Sequence, residues 1–169
     1  MASDSHSFIF PILQTEIPNR HLVLEDPEAT ELLERYDGSP YFFYSSNRGA
    51  FVESWIISNT ERLSGLSYFN STSTTINKEQ IISALESIEL AFTIIEELGK
   101  EKWDRMFSYP ASKAVHDTDE ELFRGLPEDG EAPAYLIFCL REHRRVLSHA
   151  LNSTGYAQFI SYNPYLESA

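Results

Sequence analysis

The densest group of side chains able to do acid–base or metal chemistry is the run His116, Asp117, Thr118, Asp119, Glu120 and Glu121. A hard cation is held by several oxygens converging from a turn, and this run supplies oxygens in number. It lacks the glycine and the ligand spacing of a calcium loop. Asp117 with Glu120, and Thr118 with Glu121, instead stand at the spacing of reciprocal helix capping, and carboxylates are favoured at the positive end of a helix dipole. The run reads as a capped helix start, with no metal and no cofactor. Glu128, Asp129 and Glu131 continue the acidic stretch beyond it.

Cys139 and His143 are four residues apart and share one helix face, the juxtaposition a thiolate nucleophile needs from a base, with Arg144 beside them as an anion contact. Cys139 lies in the apolar run Leu136, Ile137, Phe138 and Leu140, however, and His143 falls on the same stripe between Leu140 and Leu147. An inert buried thiol and a histidine hydrogen-bonded into the core are the favoured reading; an enzyme or ligand site using Cys139, His143 and Arg144 is the alternative. Arg141, Arg144, Arg145 and His149 concentrate positive charge near a helix end, where cations offset the dipole and where Arg145 can pair with Glu142. Glu86, Glu89, Glu96 and Glu97 share a second helix, and neighbours on one helix cannot act as an acid and a base across a cleft. The turn at 45–49 has no phosphate-binding lysine, and no dinucleotide fingerprint, nucleophile elbow or paired-histidine zinc motif occurs.

Charge is the other constraint. Across 169 residues, 26 Asp and Glu stand against 13 Lys and Arg, a net charge of −13. Such a chain repels phosphate backbones and anionic membranes, so nucleic acid and membrane surfaces are excluded as expected partners and a basic protein is favoured. The lone cysteine excludes an intrachain disulfide and suits a reducing compartment. The first thirteen residues lack the basic flank and the apolar length of a secretory signal, so a soluble, cytoplasmic protein is expected. The triplets at Asn70 and Asn152 that match the glycosylation pattern are then chance matches in polar turns.

The elements that must position these residues read as one α+β domain over 1–169, with short strands near both termini and two long helices, about 78–98 and 134–151, packed on a small sheet. Strands are expected at 8–13, 20–24, 41–44 and 156–162, the terminal ones as sheet neighbours. Asp26 and Pro27 start a helix that Gly38 ends near Tyr36. The segment 51–66 leans towards helix. The Ser/Thr-rich stretch 70–75 reads as a mobile connection or seam. Ile81, Leu85, Ile88, Phe92 and Ile95 mark an amphipathic helix capped by Asn77 and stopped by Gly99, and Pro133 opens the last helix. Shorter helices are expected at 100–107 and 118–123.

From Asn77 onward the chain resembles the YfbM-like family of small bacterial proteins, in the helix start Asn77, Lys78, Glu79, Gln80, Ile81 and Ile82 and in the strand Gln158 to Tyr162 after Gly155. The resemblance covers little more than half the chain and brings no functional residue with it. Size, acidity and the missing catalytic set also resemble bacterial immunity proteins, which neutralise a toxin. The function expected is therefore a non-enzymatic inhibitor that binds a basic protein such as a toxin through Asp117, Asp119, Glu120, Glu121, Glu128, Asp129 and Glu131, steered by charge and acting by steric occlusion. A homo-oligomer is compatible with the same composition.

Overall fold

A computed structural model of the chain describes residues 6–17, 21–45, 49–98, 118–120 and 131–162. Its organising element is the strand β1, His6–Pro11, whose alternation puts Phe8 and Phe10 on one face and Ser7 and Ile9 on the other. β1 pairs antiparallel with β4, Ala157–Tyr162, in a register running from His6 opposite Tyr162 to Pro11 opposite Ala157. β2, Phe43–Ser45, joins the other edge of β1, and β3, Ser73–Ile76, joins β4, giving the order β2-β1-β4-β3. The fold is α+β, and the two terminal strands are its central pair.

Both faces of the sheet are covered. On one side Ile9, Phe43, Ile76, Ala157 and Phe159 enter a core with helices α2 (Gly49–Ser58), α3 (Lys78–Leu98) and α4 (Glu131–Ser153). On the other, Phe10, Ile12 and Ile160 pack with Leu22 and with Ala29 and Leu32 of α1, Pro27–Tyr36. α1 begins at Pro27, whose missing N–H suits a first helical position. The Asp26 carboxylate accepts the Val23 N–H at 3.1 Å, so it ties down the chain ahead of the helix. Gly38, at φ +92°, supplies the left-handed turn that ends α1. α3 starts with the reciprocal cap expected of its sequence: the Gln80 N–H donates to Asn77 Oδ1 and the Asn77 N–H to Gln80 Oε1, each at 2.9 Å. The segment 51–66 divides into α2 and the beginning of a 3-10 segment, Ser64–Asn70. The long helices fall where they were expected, α4 running a few residues further at each end.

Two expectations are corrected. The segment 20–24 forms no strand over its described part: it makes no backbone ladder with the sheet, and its approach to β3 is made by a side chain, His21 Nδ1 lying 2.8 Å from the Ser73 carbonyl. The stretch 70–75 is neither a loose connection nor a seam, because its second half is β3. Its hydroxyls find partners on β4, where Thr75 Oγ1 donates to Gln158 Oε1 at 2.7 Å and Gln158 Nε2 donates to Ser73 Oγ at 3.0 Å. β-Branched threonines suit a sheet once their hydroxyls are satisfied. The helix at 100–107, the stop at Gly99 and most of 118–123 lie outside the described residues; Asp119 and Glu120 are helical.

The 3-10 segment meets α3 at backbone distance through Gly65. Its N–H donates to Ser87 Oγ at 3.0 Å, and a Cβ placed there would stand 2.1 Å from the Ser83 carbonyl oxygen and 2.6 Å from Ser87 Oγ. Gly65→Ala must therefore push the segment off α3. The expected loss is about 1–3 kcal/mol of unfolding free energy in urea titration, the range for overpacking; an unchanged midpoint would contradict this contact.

Candidate functional site

The side chains expected to do chemistry do not meet at an accessible place. Cys139 and His143 share one face of α4, and that face is turned into the core, where both are buried. Phe69 stacks on the His143 imidazole at 4.9 Å between ring centres, Phe43 meets it edge-on at 5.7 Å, and Tyr68 places its hydroxyl 2.8 Å from Nδ1. Burial lowers the His143 pKa to about 3, so the ring is neutral at physiological pH, and it raises the Tyr68 pKa. Burial likewise raises the Cys139 thiol to about 12, outweighing the opposing hydrogen bonds from Ser45 and Tyr135. A nucleophile needs a thiolate and a path for substrate, and here the thiol is protonated and enclosed. Arg144 points the other way: it bridges to Glu89 of α3 at 2.9 Å and lies over the Phe92 ring at 5.0 Å.

The basic patch on α4 is used within the fold. Arg141 pairs with Asp119 at 2.9 Å and Arg145 with Glu142 at 2.6 Å. The Arg145 guanidinium also donates to the Pro40 carbonyl and lies over the Tyr41 ring, on which His149 stacks. These residues fasten the chain ahead of β2 against α4. Of the acidic residues expected to meet a partner, Asp119 and Glu120 are exposed, with Asp119 held by Arg141. Asp117, Glu121, Glu128 and Asp129 lie outside the described residues, as does the side chain of Glu131. Among the described residues no group of three or more His, Cys, Asp or Glu converges as a metal site, and no helix is long and apolar enough to cross a membrane.

The outer layer holds a different constellation. Leu33 and Glu34 of α1, with Asp37 just beyond its end, line a groove of about 510 Å³ together with Phe8 of β1, Tyr44 of β2 and Phe42 ahead of it. That volume is in the range of organic-ligand pockets, about 300–1,000 Å³. A second cavity, lined by Ser64, Ser67, Ser71, Thr74 and Ser83 between the 3-10 segment and α3, is about 170 Å³ and falls below that range. In the groove, Phe8 packs on Phe42 and Tyr44 with ring centres 5.6 and 5.0 Å apart, while Glu34 and Asp37 are exposed on the rim. The aromatic run and the early carboxylate cluster are each visible in the sequence; their meeting is not, because it depends on which face of the sheet α1 covers.

No known protein family, curated protein or solved structure matches the chain. The resemblance to YfbM-like proteins thus rests on the segments that carry it.

The buried His143 sets a pH dependence. The unfolded chain takes up this proton near the ordinary histidine value, about 6.5, whereas the folded protein does so only near 3. Between those values the unfolded state binds more protons, so the His143 contribution is complete above about pH 6.5 and is lost as pH falls towards 3. Replacing His143 by Gln removes this one component of acid sensitivity. The expected result is a drop in unfolding free energy from pH 7 to pH 4.5 that is about 2–3 kcal/mol smaller in the variant; parallel losses would contradict a neutral buried ring. For Cys139, alkylation by iodoacetamide is expected only on unfolding, and fast labelling of the native protein would contradict its enclosure.

Proposed function

We propose that the protein is a non-enzymatic, acidic binding protein that inhibits a basic protein partner by covering its working surface, as immunity proteins do. The observation that carries this reading is the exposure of Glu31 and Glu34 on α1 and of Asp37 just beyond its end, three carboxylates at successive three-residue spacing. The arginine of that helix, Arg35, is turned to Glu16 at 3.3 Å. The arginines of α4 are likewise engaged within the fold. On a chain of net charge −13 this leaves an anionic ridge along a helix, suited to steering a cationic partner and holding its orientation. The enclosure of Cys139 and His143 removes the support for chemistry at those residues. The contact surface is thereby centred on α1, with Asp119 and Glu120 as the described part of the surface expected from sequence.

The test is affinity capture from the native cell at low salt, followed by titration of the purified captured protein. A strongly basic partner is expected, whose own activity falls on complex formation. Reversing the ridge with Glu31→Lys, Glu34→Lys and Asp37→Lys should slow association by about ten-fold or more and flatten its salt dependence. Failure to capture a saturable basic partner, or an association rate untouched by the triple variant, would overturn the reading.

A further inference from the structure

The groove beside α1 has a floor and a rim of one electrostatic sign. We propose that it receives an arginine side chain displayed by the basic partner, an inference that rests on the reading above and names its point of attachment. Three separate sources of negative potential meet there. The first is the aromatic lining: Phe8, Phe42 and Tyr44 border the groove, and Tyr44 is 43% exposed. Ring faces attract cations through their quadrupole. The second is the pair of rim carboxylates, Glu34 and Asp37. The third is the C-terminal end of α1, where the last carbonyls carry the negative pole of the helix dipole. Among the described residues lining the groove there is no cation.

The lining combines what a long cationic side chain requires: apolar Leu33 and Phe8 suit a methylene stem, and the exposed carboxylates of Glu34 and Asp37 suit a charged head. Arginine fits better than lysine, because its planar head stacks on an aromatic face while its fork of donors meets carboxylates. Tyr44 is also held in place beforehand: its ring stacks with His6 at 5.7 Å and its hydroxyl lies 2.5 Å from His6 Nδ1. A fixed ring reduces the ordering cost of binding.

The experiment is an NMR titration of the full chain with acetyl-arginine amide, using acetyl-citrulline amide as the neutral isostere and acetyl-norleucine amide as the apolar control. Saturable shifts at Phe8, Leu33, Phe42 and Tyr44 are expected with the arginine compound, with about ten-fold weaker binding in Glu34→Gln/Asp37→Asn and in Tyr44→Leu. Equal binding of citrulline amide, or of norleucine amide, would overturn the proposal, the latter marking an ordinary apolar groove. So would the absence of saturable shifts, or shifts that depend on protein concentration alone and so put a second copy in the groove. The Glu34→Gln/Asp37→Asn variant separates this inference from the functional one. If it captures the basic partner as well as the parent protein does, the arginine site is wrong and the binding function stands; if the parent captures nothing, the function fails whatever the amides do.

Discussion

Pairing of β1 with β4 is the interaction on which the structure depends. Six consecutive residue pairs join the first described strand to the last, closing nearly the whole chain into a loop before any helix is placed. Such non-local pairing is entropically costly to form, and its stability comes from what it then covers. Because β1 and β4 occupy the centre of the sheet, each buries both of its faces: Ile9 and Phe159 face the three helices of the inner layer, Phe10 and Ile160 face α1. The two layers have separate cores, and the functional reading follows from that separation.

In the inner layer the buried groups with chemical potential among the described residues, Cys139, His143 and Tyr68, are committed to packing. His143 Nδ1 and the Tyr68 hydroxyl are hydrogen-bonded to one another among phenylalanine rings, and Cys139 has Ser45 Oγ 3.9 Å away. Buried polar groups that are paired in this way fix the relative positions of α4, the 3-10 segment and β2. The same burial disables them as reagents, since it favours the uncharged thiol and imidazole. The outer layer, among the described residues, has α1 as its one helix on that sheet face. The groove lies between α1 and β2, lined by aromatic rings because a sheet face in this position must be apolar to hold α1 at all.

Elements with a local physical signature were legible in the sequence. α3 is announced by its apolar spacing and by the Asn77 and Gln80 cap, α1 by Pro27 and Gly38, and α4 by its apolar first half. The buried fate of Cys139 and His143 follows from the same stripe. β3 was hidden because its Ser and Thr residues look like a polar loop until Gln158 is placed opposite them. The false strand at 20–24 shows the converse: short alternation makes a strand only where a backbone ladder forms, and beside the β3 edge the described contact is the His21 side chain instead. The groove was illegible for a related reason. Tyr44 and Phe42 carry an aromatic signal and Glu34 and Asp37 an acidic one, but only the β1–β2 register and the seat of α1 on that face bring them together.

The central claim, that the β1–β4 ladder is the framework on which both layers are hung, is tested most directly by native-state amide hydrogen exchange across a denaturant series. Amides bonded within that ladder, including those around Ile9 and Phe159, should exchange only through global unfolding, while α1 and the three-residue β2 open at lower free energy. Ladder amides that exchange as readily as those of α1 would contradict the account.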